Sequence, residues 1–311
     1  GFYAAQDADS EGVEGKFDVG DQVEFEEVVG EDAELLERYF NVTDYGSWEH
    51  HNILNVPRPP ELFCKLEEIS EQELASKVAT ARPKLYAARE KRVPPGRDEK
   101  ILTDWNGLAL RAFAEAAAFL GREDYRKVAE DNAAFIFEKL WDGQHLLHSF
   151  KDGRARFNAY LDDYANVADG LLALYQLTFD ERWLRRSEML AEIIVSRFKD
   201  EEQGGFYFTA ADHEVLIART KDFFDNATPS GNSVAADVLV RLGALLGRDD
   251  FRSQAERTFI AVKNHLGQYA SGFGRMLAAG DFSIGPSAEI ASGGGGDPLL
   301  SAHWKTYLPR T

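Results

Sequence analysis

Three stretches of the sequence set carboxylates beside aromatic and amide side chains at the start of an apolar helical pattern: Asp104, Trp105 and Asn106; Asp162, Asp163 and Tyr164; and Asp225, Asn226, Ser230 and Asn232. Carboxylates next to Trp and Tyr supply what a sugar site needs, an aromatic face for the apolar side of the ring and acceptors for its hydroxyls. Two carboxyls can also divide acid and base roles when one is held protonated and the other ionised. Asp104, Asp162, Asp163 and Asp225 are therefore the candidates for acid, base or hydroxyl contacts, in a hydrolysis or an isomerisation, with no single role fixed for any of them. Trp105, Asn106, Tyr164, Asn226, Ser230 and Asn232 complete the ligand set. A plainer reading stands beside this one. Asp104, Asp162 and Ser230 also occupy N-cap positions, "TPSGN" is a turn that launches a helix, and Trp105 alone reads more readily as core.

Other polar clusters are weaker. Asp7 to Asp18 partly matches the spacing of a calcium loop but lacks a preceding helix and ends in Asp, so it reads as an acidic loop, with Asp7 and Asp9 expected at the edge of the same pocket. Lys100 and Arg97 are positive charges beside an acidic mouth, suited to an acidic ligand or to balancing Asp98, Glu99 and Asp104. The histidines, His50, His51, His145, His148, His213, His265 and His303, fall outside the carboxylate stretches, which weakens acid–base chemistry of the histidine kind. No metal site and no cofactor is expected, and "SGGGGDP" lacks the Lys and helix of a phosphate cradle and reads as a linker.

These residues must be positioned by a repeated helical unit. "GREDYRKVAE", "FDERWLRRSE" and "GRDDFRSQAE" share a turn, polar residues, an aromatic and a basic helix start, and their aromatics Tyr125, Trp183 and Phe251 lie 58 and 68 residues apart. Each unit reads as a helical hairpin: 104–120 with 123–140, 163–179 with 181–198, and 230–246 with 249–266. "HLLHSF" and "GGFYFT" predict short β-hairpins between units. The opening "GFYAAQDAD" resembles "GFYFTAADH", which follows a complete helical pair, so Gly1 is expected to follow one too, with unpaired apolar surface at that edge. Glu31 to Tyr39 predicts a helix, and Pro83 should interrupt the charged helix predicted over 71–92. The expected class is mainly all-α, a partial (α/α)6 toroid over 1–285 with a C-terminal loop and tail, 286–311, packed on it.

A net charge of −18 argues against a nucleic-acid partner, whose phosphates need a positive face. The apolar stretch from Leu108 to Leu120 is broken by Arg111 and Glu115, so no membrane span is expected. The single cysteine, Cys64, excludes an internal disulfide, reads as a buried thiol and points to a reducing, cytoplasmic setting.

At "QDADSEGVEGKF", "REKRVPPGRDEKILTDWNG", "YLDDYA" and "DNATPSGNSVAA" the chain resembles the helical domain of the spermatogenesis-associated, thioredoxin-like proteins. The resemblance covers nearly the whole chain. It implies a six-hairpin toroid akin to N-acylglucosamine 2-epimerases and six-hairpin glycosidases, a small sugar-like ligand, and an upstream thioredoxin-like domain as partner. The chain departs from the family at Asp18 and Gly20, where an aromatic pair is usual, and at Gly96, where a histidine is. The rival expectation is a non-catalytic helical scaffold accompanying the thioredoxin-like domain.

Overall fold

The computed structural model describes residues 1–214, 217–286, 288 and 304. They form two compact units, one of Ala5–Asp98 and one of Gly1–Ala4 with Glu99 onward, so the expected span 1–285 contains both. The expected tail 286–311, with its "SGGGGDP" loop and His303, lies outside the described residues apart from Pro286, Ala288 and Trp304.

In the Ala5–Asp98 unit, β1 (Ala5–Gln6) pairs antiparallel with β4 (Arg97–Asp98), and β2 (Asp9–Ser10) forms a hairpin with β3 (Val13–Glu14). The intervening Glu11 and Gly12 both have positive φ, as a tight hairpin turn requires, so Asp7 to Asp18 folds as a ribbon and not as a helix-flanked calcium loop. Four helices follow: α1 (Gln22–Val29), α2 (Ala33–Phe40), α3 (Pro60–Leu66) and α4 (Glu71–Arg89). They close over a small core of Phe25, Leu36, Phe63, Cys64 and Leu74, which accounts for the inert thiol. Contrary to expectation α4 runs through Pro83. Pro83 is exposed there, so water can satisfy the carbonyl that loses its intrahelical donor.

In the second unit, β5 (Ile101–Leu102) leads directly into α5 (Thr103–Leu120), followed by α6 (Glu123–Phe135), β6 (Leu147–Lys151), β7 (Arg154–Asn158), α7 (Leu161–Thr178) and α8 (Glu181–Ile193). Then come α9 (Gly231–Leu246), α10 (Asp249–Leu266) and α11 (Gly274–Ile284). The hairpins α5/α6, α7/α8 and α9/α10 match the repeat, and α5, α7 and α9 pack side by side as an inner layer with α6, α8 and α10 outside them. This is an arc of an (α/α) toroid. The inner helices end on left-handed residues, Gly121, Phe179 and Gly247. At the start of each outer helix an arginine lies over the repeat aromatic: Arg122 on Tyr125, Arg182 on Trp183 and Arg248 on Phe251. Close approach of α5 and α7 depends on glycine, since a Cβ on Gly107 would stand 2.5 Å from the backbone of Asn166. "HLLHSF" lies in the predicted hairpin, with β6 central between β5 and β7. "GGFYFT" makes only a single bridge, Lys199 with Phe206. Among the described residues no helix is long and apolar enough to cross a membrane.

Candidate functional site

The start of α7 carries the Asp162–Asp163 pair between the starts of its two inner neighbours. Asp163 is 1% exposed and accepts the backbone N–H of Tyr160 at 2.8 Å and that of Asp104, on α5, at 2.9 Å. Asp162 faces the other way and accepts the N–H of Gly231, the first residue of α9. A Cβ on Gly231 would lie 2.0 Å from Asp162 Oδ1, so only glycine allows this approach. Two adjacent carboxylates thus tie three helix N-termini together. Asp104 and Asp162 are second residues of their helices and do not cap them, which corrects the capping assignment; Ser230 does cap α9, accepting from the N–H of Ser233.

The β-sheet delivers the side chain that sequence reasoning set aside. Leu102 pairs with Ser149, so the neighbouring β6 residue His148 is brought to the first turn of α5. His148 Nδ1 lies 3.0 Å from Asp163 Oδ2 and 3.2 Å from Oδ1, while Nε2 has no hydrogen-bond partner among the described residues. The available signal was period-two alternation in "HLLHSF" combined with its expected place beside a helix start. Tyr160 stands edge-on to His148 at 5.1 Å and stacks on Phe208 at 4.6 Å and on His213 at 5.4 Å.

Burial sets the electrostatics. It pushes the Asp104 carboxyl up to about 6, helped by the charge of Asp163, and pushes Asp162 up to about 7, helped by Asp163 and then Asp104. The helix N–H groups oppose both shifts and are outweighed. His148 is raised above the ordinary histidine range, first by its hydrogen bond to Asp163 and further by that carboxylate's charge, against the effect of burial. Burial pushes Asp163 up as well, with the His148 hydrogen bond the main opposing influence. The pair therefore shares a proton, and beside it Asp104 and Asp162 are shifted towards neutral pH. Asp104 Oδ1 is buried with no hydrogen-bond partner. Asp104, His148 and Asp163 each offer a ligand atom within 4.8 Å of one another, a set able to hold a metal ion at a place where the sequence pattern predicts none.

The remaining candidates divide. Trp105 is exposed beside Asp104 and not in the core, contrary to the plainer reading. Tyr164 is buried, and its hydroxyl accepts from the N–H of Leu146, so Tyr160 and not Tyr164 supplies the aromatic surface beside the carboxylates. Asn106 and Asn232 are taken up by main chain: Asn106 accepts from Phe2 N–H and donates to Phe2 O, and Asn232 does the same with Phe206. Asp225 latches the loop before α9, accepting from the N–H groups of Ser230 and Arg275; Asp222 is the carboxylate of that loop whose charge reaches Asp162. Asn226 is exposed on the same loop. The Lys100 carbonyl accepts from Ala4 N–H, and its side chain is exposed. Asp7 and Asp9 belong to the Ala5–Asp98 unit, where Asp9 N–H donates to Asp7.

Below this cluster by about 9 Å, six residues along α7 at 1.5 Å each, a second ionic group crosses the inner helices. Asp169 accepts from Arg111 of α5 at 2.7 Å, Arg241 of α9 at 3.3 Å and Arg275 of α11 at 2.8 Å. Arg275 also donates to Asp237 at 2.5 Å, and Arg111 to Glu115 at 2.8 Å. Sequence reading missed this group, because its members are single charges within apolar helical runs.

Residues 98–265 match the profile of the N-acylglucosamine 2-epimerase (GlcNAc 2-epimerase) family. Spermatogenesis-associated protein 20 of Rattus norvegicus is 30% identical, covering 90% of this chain and 40% of its own length, and that of Homo sapiens is 27% identical over the same shares. The chain thus spans less than half the length of these curated relatives. Among solved structures, cellobiose 2-epimerase from Spirochaeta thermophila superposes with a TM-score of 0.45 at 16% identity, over 54% of this chain and 44% of that one.

Proposed function

The chain belongs to the N-acylglucosamine 2-epimerase family, and on that premise we propose that it moves a proton at the carbon next to a sugar carbonyl, as an epimerase or isomerase. The observation that carries this reading is the His148–Asp163 pair set against Asp104 at the starts of the inner helices. Asp104, titrating at about 6, is ionised at neutral pH and takes the proton from the carbon beside the carbonyl. His148, held as its protonated form by Asp163, gives its Nε2 proton to the carbonyl oxygen as the enediol forms. If the enediol turns over in the site, Asp104 returns the proton to the opposite face of the same carbon while His148 Nε2 takes its proton back from the first oxygen, which inverts that centre; if Asp104 returns it to the neighbouring carbon while His148 takes a proton from the second hydroxyl, aldose becomes ketose. Asp162, at about 7, accepts or donates a hydroxyl hydrogen bond, and Tyr160 and Trp105 give the sugar ring an apolar face.

The test is solvent deuterium incorporation into N-acetylglucosamine and cellobiose, followed by proton NMR. Wild type should exchange the proton at carbon 2, and Asp104→Asn and His148→Gln should each slow exchange by about 10²–10⁴-fold with the circular dichroism spectrum unchanged. Exchange that survives both substitutions would remove these residues from the chemistry. Sugar binding without exchange in wild type would favour a scaffold with a ligand site.

A further inference from the structure

Three elements of the second unit bring one side chain each to a common point: Asp104 from the first turn of α5, His148 from β6 and Asp163 from the first turn of α7. One ligand atom of each lies within 4.8 Å of the other two, and among the described residues no other trio of His, Cys, Asp or Glu is gathered in this way. Ligands bonded to zinc at about 2.0–2.2 Å in a tetrahedron stand about 3.3–3.6 Å apart. The separations of 3.0 and 3.2 Å from His148 Nδ1 to the two oxygens of Asp163 are already near that edge. The N–H groups of Tyr160 and Asp104 hold the Asp163 carboxylate in place, as hydrogen bonds behind a ligating carboxylate do. Asp104 Oδ1 is wholly buried and has no hydrogen-bond donor among the described residues. A carboxylate oxygen cut off from water in this way is satisfied by a proton or a cation. Two carboxylates and a neutral imidazole also balance the charge of a dication. The donor set selects the ion, since imidazole nitrogen beside carboxylate oxygen suits zinc and its first-row neighbours, whereas calcium and magnesium take shells of oxygen.

We propose that Asp104, His148 and Asp163 form a binding site for a divalent transition-metal ion of the zinc type, and that the bound ion shuts off proton transfer at the same place. The second half rests on the epimerase or isomerase reading. The ion takes the position of the proton that His148 and Asp163 share, which passes to solvent, and it engages the Asp104 carboxylate that otherwise acts as base. A sugar arriving there then meets neither a free base nor a protonated imidazole.

Titration of the full chain with cobalt(II) and zinc(II) tests the site without turnover. Cobalt should bind at one equivalent with the visible absorption of a four- or five-coordinate ion, zinc should displace it, and magnesium should not. His148→Gln and Asp104→Asn should each weaken zinc by about 100-fold or more, since loss even of a residue behind a ligand costs about 10–100-fold. His265→Gln, exposed on α10, should bind zinc as wild type does. In wild type the His148 ring resonances should shift with zinc and return with EDTA, a readout that needs no substitution should a variant lose its circular dichroism spectrum. One equivalent of zinc should also cut deuterium exchange towards the level of Asp104→Asn, reversibly with EDTA. Absence of a one-equivalent site, displacement of cobalt by magnesium, or binding indifferent to both substitutions would overturn the proposal, and zinc bound at these residues with exchange undiminished would overturn the shut-off. If wild type exchanges no proton with either sugar, the reading of the reaction fails, while the cobalt spectrum and the two variants still decide the site.

Discussion

Replacing Asp169 by Asn should destabilise the helical-hairpin unit more than any change at its surface. Asp169 is almost wholly buried and receives guanidinium groups from three other helices, α5, α9 and α11. Although burial alone would raise its pKa, Arg275, Arg111 and Arg241 together hold it down at about 2. Measured from an ordinary value of 3.8, and at about 1.4 kcal/mol for each unit, that depression corresponds to about 2 kcal/mol of linked stability. Because the folded value is the lower one, this contribution is present in full above the unfolded carboxylate range and is lost as pH falls from about 4 to about 2. Asn keeps the shape but removes the charge, leaving three arginines to share Asp237 and Glu115. Breaking a buried ion pair costs about 3–5 kcal/mol, so the expected loss at pH 7 is about 3–4 kcal/mol. Urea unfolding followed by tryptophan fluorescence reads this unit, since Trp48 is the only one of the five tryptophans outside it. The two proteins should differ most at pH 7 and converge towards pH 2. A loss below about 1 kcal/mol, or a difference that does not shrink in acid, would refute the account, since a solvated surface pair is worth no more than that.

Asp162 should behave in the opposite sense. Its folded pKa of about 7 lies above the ordinary carboxylate value, so folding favours the protonated form and stability falls as pH rises from about 4 to about 7; Asp162→Asn should therefore stabilise the unit at pH 8, by more than about 1 kcal/mol in urea unfolding. An equal or lower stability at pH 8 would mean that the Gly231 N–H contact outweighs burial. Asn106→Ala should free the Phe2 segment, and amide hydrogen exchange at Phe2 should accelerate by ten-fold or more while α7 stays protected, since two of the lost hydrogen bonds are the ones that hold that backbone. Unchanged exchange at Phe2 would show that stacking of its ring on Phe113 is enough.

Helix type and pairing were legible because they depend on local pattern. Apolar spacing and turn glycines gave α5, α7, α9 and α10 to within a residue or two, and the repeat aromatics marked the outer helices; α6 and α8 stop five residues before the expected ends, where Ile136–Leu140 and Ile194–Phe198 wind on as π-helical turns. The α1 and α3 helices were missed, being short and stabilised mainly by contacts distant in sequence, around Phe25 and Phe63. At the site the carboxylates were legible and their partners were not. Asp163 and Asp104 stand in recognisable helix starts, whereas His148 reaches them through strand pairing, which a linear pattern does not encode. Asn106 and Asn232 were read as ligand contacts for the same reason. Nothing local reveals that Phe2 and Phe206 occupy their amides.

Those two asparagines carry a consequence for how the protein was assembled. Asn106 grips the main chain at Phe2 as Asn232 grips it at Phe206, so "GFYAAQDAD" and "GFYFTAADH" are the same architectural piece before α5 and before α9, with the α7/α8 repeat between them. After Phe206 the chain needs only one loop to reach α9, but after Phe2 it makes the whole Ala5–Asp98 unit before it reaches α5. That unit is thus a guest in a connecting loop of the ring. Its entrance and exit are zipped shut, by Ala4 N–H on the Lys100 carbonyl at 2.8 Å and then by the pairing of Ala5 with Asp98. A guest whose two ends meet can be enlarged, remodelled or exchanged without disturbing the register of its host. That connecting loop is therefore where this scaffold has room to acquire a second specificity while the carboxylates at the helix starts stay where they are.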